Sequence, residues 1–370
     1  MNLSHLILSN FKNYSEADLN FSDKINCLVG GNGAGKTNVM DAIYYLSFCK
    51  SYFNPIDSQN INHDADFFAL HGFYHIQNDQ DDKISCIQKR NQKKQFRYNS
   101  KDYERLADHI GKIPLVMISP YDRDLINEGS ETRRKYIDGV ISQFDKVYLN
   151  DLLEYNKALL QRNILLKNFA EQHYFDELSL TIWDEKLIEL GESLHEKRKD
   201  FLRDFNPLFE EYYRYLSGGS EQVEVVYSSQ MGNESLKQLL ENSLQRDRIA
   251  RYTTQGIHKD DLIFLIDGFP VKKFGSQGQQ KSFVVAIKLA QFEYTRLKKG
   301  FKPILLFDDI FDKLDDDRVS QIVELVSQEN FGQVFITDTQ HQRIKSIFEK
   351  IKIDHKIFFV EKGTVREIDD

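Results

Sequence analysis

The chain has 370 residues, 41% of them hydrophobic and 29% charged, with a formal net charge of −8. This is an ordinary globular profile, long enough for one large domain with an insertion or for two domains. No apolar run approaches the roughly 20 residues that span a bilayer, the start MNLSHLILSNFKNY is too short and polar for a signal peptide, and Cys27, Cys49 and Cys86 have neither metal nor redox spacing. A reduced cytoplasmic setting without a membrane partner is expected, and the acidic balance speaks against nucleic acid unless basic charge is concentrated locally.

In chain order, Leu6–Leu8 and Ile25–Val29 read as strands and Asn38–Phe48 as a helix. Between the second strand and the helix, Gly30-Gly31-Asn32-Gly33-Ala34-Gly35-Lys36-Thr37 fits G-x-x-x-x-G-K-[ST], with Asn38 following. Glycines let backbone N–H groups close around phosphate oxygens, and the helix start adds its positive dipole end. Lys36 would reach the outer phosphates of ATP, and the Thr37 hydroxyl is placed to ligate Mg²⁺. The plain alternative is a chance Gly-rich turn, but every part of the motif stands in its proper context.

From Lys83 to Lys101 the chain carries seven basic residues and no acidic one. Ile84, Cys86, Phe96 and Tyr98 alternate as in strands around Asn91-Gln92, so the segment predicts a basic hairpin. Either its lysines guard a sheet edge, or Lys89, Arg90, Lys93 and Lys94 contact DNA phosphates. No base-reading motif accompanies it, so such contacts would position DNA without reading its sequence.

Leu115–Ile118 is another strand, stopped by Pro120. After about Glu131 the pattern turns helical. Leu149, Leu152, Leu153, Leu159 and Leu160 suggest one helix, and Leu180, Trp183, Leu187, Leu190, Leu194, Phe201, Phe205, Leu208 and Tyr212 a long second one, with a bend expected at Pro207. These stripes predict packing between helices, and Ser217-Gly218-Gly219-Ser220 ends the helical stretch. Strand signals return at Val223–Tyr227, Leu262–Ile266, Ile304–Phe307 and Val334–Ile336.

Two motifs in this last part bear on chemistry. Phe274-Gly275-Ser276-Gln277-Gly278-Gln279-Gln280 precedes a helix with apolar Val284, Val285, Ile287 and Leu289, and resembles the ABC ATPase signature L-S-G-G-Q with Gln277 for its first glycine. In ABC ATPases this loop caps the γ-phosphate held by the other subunit; Ser276 can donate, Gly278 admits close approach, and the helix dipole favours the anion. The plain alternative is a helix N-cap. Ile304-Leu305-Leu306-Phe307-Asp308-Asp309 reads as a buried strand delivering two acids at its C-terminal end, where open α/β sheets bind ligands. Asp308 would hold Mg²⁺ and Asp309 would orient or deprotonate the attacking water. Lys313-Leu314-Asp315 lies where ABC proteins carry the D-loop, with Asp315 matching its Asp. Thr337-Asp338-Thr339 occupies the switch position, which holds histidine in many transporter ATPases; the nearby His341 reads as a lone surface histidine.

The details resemble one family, RecF. Asn10-Phe11-Lys12-Asn13-Tyr14 matches N-F-R-N-[YF]; Asp41-Ala42-Ile43 follows the P-loop with Asp41 for the usual Glu. Ser119-Pro120 with Asp122, then Arg133-Arg134 and Ile137-Asp138, is similar to S-P-E-D-L…R-R-x-F-L-D. Ile257-His258-Lys259-Asp260-Asp261-Leu262 is similar to G-P-H-R-D-D-L, and Ser276–Gln280 and the double Asp are the family's own forms. The resemblance implies an α/β, ABC-type P-loop ATPase head with an inserted α-helical domain: residues 1–130 as the P-loop lobe, 131–218 as the insert, and 219–370 as the lobe with signature, acidic strand and D-loop. It further implies ATP and Mg²⁺ as cofactors, an ATP-dependent homodimer, slow DNA-dependent hydrolysis, and binding of double- and single-stranded DNA at gap junctions. RecO and RecR are the implied partners in loading RecA, in the nucleoid-associated cytoplasm. No glutamine stands between Leu115 and Asp122, where ABC ATPases carry a Mg²⁺-ligating one. Tyr14 is a candidate to stack on adenine, or else a surface turn aromatic. A transporter ATPase subunit would show that glutamine, a switch histidine and S-G-G-Q; a chromosome-structure ATPase would carry a far longer coiled-coil insert; a fused nuclease would need more chain after Asp309 than remains.

Overall fold

The computed structural model describes residues 1–76, 81–219, 221–232, 234–309, 316–340, 342–343, 345–346 and 353–368. They form two compact units, residues 1–122 with 291–370, and residues 123–290. The first opens with β1 (Asn2–Phe11), β2 (Tyr14–Asn20), β3 (Ile25–Val29), α1 (Lys36–Phe48), β4 (Phe67–His75), β5 (Asp81–Lys89), β6 (Gln95–Tyr98), β7 (Lys101–Asp102) and β8 (Leu115–Ile118). The second contains α2 (Asp124–Asn127), α3 (Ser130–Ser142), α4 (Lys146–Gln172), α5 (Glu177–Ser217), β9 (Val223–Ser228), α6 (Leu236–Ala250), β10 (Asp261–Ile266), β11 (Phe269–Pro270) and α7 (Val271–Phe274). Helix α8 (Gln277–Lys299) crosses the boundary, and β12 (Ile304–Phe307), α9 (Asp316–Ser327), β13 (Val334–Asp338), β14 (His355–Glu361) and β15 (Thr364–Ile368) complete the first unit.

The first unit holds two six-stranded sheets, β2-β1-β4-β5-β6-β7 and β15-β14-β3-β13-β12-β8. The first sheet is antiparallel throughout. In the second, β14, β3, β13, β12 and β8 run parallel. Every residue of β3, β8, β12 and β13 is buried, as a parallel strand covered on both faces requires. Val39, Met40, Ile43 and Leu46 of α1 share one core with Leu8, Phe11 and Leu70 of the first sheet and Leu28, Leu306 and Phe335 of the second. Because β13 pairs with β3 on one side and β12 on the other, the C-terminal ends of these three strands are neighbours.

The second unit is built on α5, 41 residues long and helical through Pro207. Its buried face carries Leu180, Leu187, Leu190, Leu194, Phe201 and Phe205 as the spacing predicts, but beyond Pro207 the buried residues are Phe209, Tyr213 and Leu216, not Leu208 and Tyr212. A seam kept straight along a helix of 3.6 residues per turn must drift by a residue over such a length. In α4 the expected leucine stripe is not the buried face: Leu153 and Leu160 are exposed, and Tyr148, Tyr155, Ala158, Arg162 and Leu166 face inward. Arg162 can be buried because Asp184 and Asp247 pair with it at 2.5 and 2.6 Å. The expected boundary at 219 also moves. Asn206 of α5 donates to the carbonyl of Val225 and accepts from its N–H, both at 3.0 Å, so the sheet β11-β10-β9 belongs with the helices. The compact second unit thus ends at Ala290 and includes the signature loop. Among the described residues no helix is long and apolar enough to cross a membrane.

Candidate active site

The P-loop follows β3, and two of its glycines, Gly30 and Gly35, are there for space. A Cβ on Gly30 would lie 2.2 Å from the Val360 carbonyl oxygen, and one on Gly35 would lie 2.8 Å from the Tyr14 hydroxyl oxygen. Gly35 also has φ 122°, which side-chain-bearing residues avoid. Helix α1 then starts at Lys36 with no side-chain cap and no acid in its first turn, which leaves its N–H groups directed at an incoming anion. The loop is braced from outside. Asn13 donates to the Ala34 carbonyl at 3.0 Å, Tyr14 to that of Gly35 at 3.1 Å, and Asn38 to Asn13 at 2.6 Å. Tyr14 is fully buried in this role, so it is not the residue that stacks on adenine. Asp41 has a role that its place in the sequence did not disclose. Buried under the loop, it accepts from Ser51 and the Tyr52 N–H at 2.6 and 2.7 Å and pairs with Lys12 at 2.6 Å. The family pattern marks Lys12 and Asp41 without saying that they meet.

Lys36 bridges the loop, donating to the carbonyls of Gly30 and Gly31 at 2.7 and 3.0 Å. Burial lowers its pKa, and Asp309, Asp308 and Asp338 partly restore it. Across from it the ends of β12 and β13 meet the start of α1. The hydroxyls of Thr37 and Thr337 both donate to Asp308 Oδ1 at 3.0 Å. Asp308 is 2% exposed, and burial pushes its carboxyl up to about 6 despite these two donors. Asp309, in the left-handed region at φ 50°, donates its N–H to Thr337 Oγ1 at 2.8 Å. The structure therefore brings together the sequence-selected Lys36, Thr37, Asp308 and Asp309, and adds Thr337. Thr37 and Asp308 are hard oxygen donors within hydrogen-bond distance of each other, which suits Mg²⁺ shared with phosphate and water. A dication there would also relieve the cost of burying the Asp308 charge.

The signature residues lie in the second unit. Ser276 caps α8: it accepts from the Gln279 N–H at 3.2 Å, and its own N–H donates to Gln279 Oε1 at 2.6 Å. Ser276 and Gln277 both lie exposed at the helix start, with Gly278 in the turn behind them. Gly275 admits no Cβ, since Val271 O would be 2.8 Å away. The N-cap reading of this loop is therefore met at Ser276. Two family motifs prove to be partners here. Arg133 pairs with Asp261 at 2.7 Å, Arg134 donates to the Asp260 carbonyl at 2.6 Å, and the buried Arg198 bridges Asp138 at 2.8 Å and Asp260 at 3.5 Å. Asp315, with Lys313 and Leu314, lies outside the described residues, as do Ser220 and His341.

The basic segment does form a hairpin, with Ile84 opposite Tyr98 and Ile87 opposite Gln95. Its charge is less free than the sequence suggests. Lys94 turns inward, pairing with Asp57 at 2.7 Å and donating to the Cys49 carbonyl at 2.6 Å; its side chain is 10% exposed, which removes it from the phosphate-contacting set. Arg97 pairs with Asp102 at 2.8 Å, and Arg90 donates to the Ala65 carbonyl at 3.1 Å while remaining exposed. Lys89 and Lys93 are exposed.

Known proteins share this sequence and geometry. A family model described as the RecF/RecN/SMC N terminal domain matches residues 2–365. The DNA replication and repair protein RecF of Flavobacterium johnsoniae is 53% identical over 358 residues, covering 97% of this chain and 99% of the relative. A solved structure of the recombination mediator protein RecF-ATPrS in the RecFOR pathway superposes with a TM-score of 0.90 at 31% identity, covering 100% and 98% of the two chains. The Smc head domain derived from Pyrococcus furiosus, bound to the C-terminal domain of ScpA, shares the fold alone, with a TM-score of 0.57 at 19% identity over 99% and 95%.

Proposed function

The chain belongs to the RecF family of RecF/RecN/SMC ATPase heads, and from that premise we propose that it hydrolyses ATP, binds DNA during replication and repair, and dimerises when ATP is bound. The observation that carries this reading is the junction of Lys36, Thr37, Asp308 and Asp309 at one end of a parallel sheet. Lys36 and the N–H groups at the start of α1 would hold the triphosphate, and Thr37 and Asp308 would hold Mg²⁺. When bound, the ion neutralises charge on the transferred phosphoryl group. Asp309 would take a proton from the attacking water as the bond between the γ-phosphorus and the bridging oxygen breaks. Slow, DNA-dependent turnover belongs to the same reading. The Ser276 loop would cap the γ-phosphate on a second copy of the chain, making the dimer depend on ATP. Within this reading the protein acts at single-strand gaps with RecO and RecR in the loading of RecA.

Sedimentation with and without Mg-ATP tests the assembly. The wild-type chain is expected to move from monomer to dimer on ATP, and Lys36→Ala to bind ATP weakly and stay monomeric. A wild-type chain that sediments identically in both conditions would count against an ATP-driven clamp.

A further inference from the structure

We infer that Thr337 is the positioning residue for the Asp309 carboxylate, an inference that rests on the hydrolytic reading above. Thr337 lies at the end of β13, fully buried. A backbone N–H can only donate, so toward Asp309 the Thr337 hydroxyl must accept, at 2.8 Å. Its single hydrogen is then committed to Asp308 Oδ1, at 3.0 Å. One hydroxyl thereby fixes the backbone at position 309 and the side chain at position 308.

That fixing has something to act against. Asp309 has φ 50°, a left-handed conformation that residues with a Cβ adopt at a cost and hold only when their surroundings impose it. The bond from its N–H to Thr337 is such an imposed contact. The same strand end is itself anchored. The Asp338 carbonyl accepts from the Gly30 N–H at 3.3 Å, and the Asp338 carboxylate accepts from Arg343 at 2.5 Å and from the Gln340 N–H at 2.7 Å. The segment is therefore tied to the first P-loop glycine, to both acids and to Arg343. The Thr337 hydroxyl thus acts on both acids from behind.

Thr337→Val keeps the shape and removes the hydroxyl; Thr337→Ser keeps the hydroxyl and removes the methyl. For Thr337→Val we expect kcat to fall about 10- to 100-fold, as small displacements of a reacting group do, with the KM for ATP within about threefold of wild type, since ground-state binding is set by the P-loop. In the nucleotide-free protein, amide hydrogen exchange across residues 305–309 should speed up in Thr337→Val. Thr337→Ser should recover most of the rate and the exchange protection. Thermal melts establish that the variants fold, and Thr337→Ala serves the same comparison if Thr337→Val does not. Wild-type turnover in Thr337→Val, or equal losses in Thr337→Val and Thr337→Ser, overturns the inference. Asp309→Asn measured alongside separates the two levels. If it turns over ATP at the wild-type rate, the catalytic assignment of Asp309 falls and this inference with it. If it is inactive while Thr337→Val is not, only the role of Thr337 falls.

Discussion

Burial displaces Asp308 and His258 in opposite directions, raising the carboxyl to about 6 and lowering the imidazole to about 4. Asp308 has two hydroxyl donors and a lysine in range, and under the proposed function its displaced ionisation would serve the binding of Mg²⁺. His258 has a structural setting. One ring nitrogen lies 3.0 Å from the Tyr155 hydroxyl and the other 3.1 Å from the Thr253 carbonyl, which places the proton on the nitrogen facing the carbonyl. The neutral ring is what the fold holds, and the neighbouring Lys259 and Arg134 add to the disfavour of a second proton. The unfolded chain protonates this histidine below its ordinary value of 6.5 while the folded chain resists until about 4. Stability from His258 is therefore complete above 6.5 and is lost as pH falls through that window, by up to about 3 kcal/mol. Denaturant melts of wild type and His258→Gln across this range should show the variant with the flatter pH dependence; parallel curves would assign the acid sensitivity elsewhere.

The β5–β6 hairpin separates two roles that seven like charges in sequence run together. Lys94 is a structural cation, while Lys89 and Lys93 reach solvent. Lys94→Glu would place two carboxylates where Lys94 now meets Asp57, so it should destabilise the fold by several kcal/mol, because a part-buried charge would lose its partner and meet a like one. Lys89→Glu with Lys93→Glu should leave the melt unchanged, weaken DNA binding and make the salt slope shallower by roughly one unit for each phosphate no longer neutralised. If DNA affinity and slope match the wild type in that double variant, DNA lies on another surface. The same division shows what a sequence discloses. Three strands of the second sheet, Ile25–Val29, Leu115–Ile118 and Ile304–Phe307, were legible to the residue, because a buried parallel strand is a largely apolar run bounded by turns. Helix α4 was not, because its buried face is held by tyrosines and by Arg162, whose partners Asp184 and Asp247 are remote in sequence. Helix α6 went unread although Ser235 and Gln238 form a capping box at its start. At the site, Lys36, Thr37, Asp308 and Asp309 announced themselves by motif, whereas Thr337, Asp41 and the bracing by Tyr14 emerge only when strands and turns come together.

The compact units divide the chemical motifs between them: the P-loop and both acids lie in residues 1–122 with 291–370, and the Ser276 loop lies in residues 123–290. Under the composite-site reading, each ATP needs the P-loop of one copy and the signature loop of the other. Ser276→Arg would crowd the start of α8 and leave the P-loop untouched, so that variant should bind ATP yet neither dimerise nor hydrolyse. Asp309→Asn should do the reverse, accumulating as a long-lived ATP dimer, because it removes the base and one negative charge near the triphosphate. The sharper test mixes two inactive chains. Lys36→Ala lacks a working P-loop but keeps its signature; Ser276→Arg keeps its P-loop but lacks a working signature. In a mixed dimer one site combines the intact halves and the other combines both damaged ones. If the two sites act independently, an equal mixture should regain up to about half of the wild-type rate, since neither variant pairs with itself and each mixed dimer carries one good site. Either variant alone should stay inactive. Recovery in the mixture requires that the halves of a site come from different chains. If Ser276→Arg alone hydrolyses ATP at the wild-type rate, the P-loop and the two acids suffice within one chain, and the loop at Ser276 is a helix cap without a catalytic part.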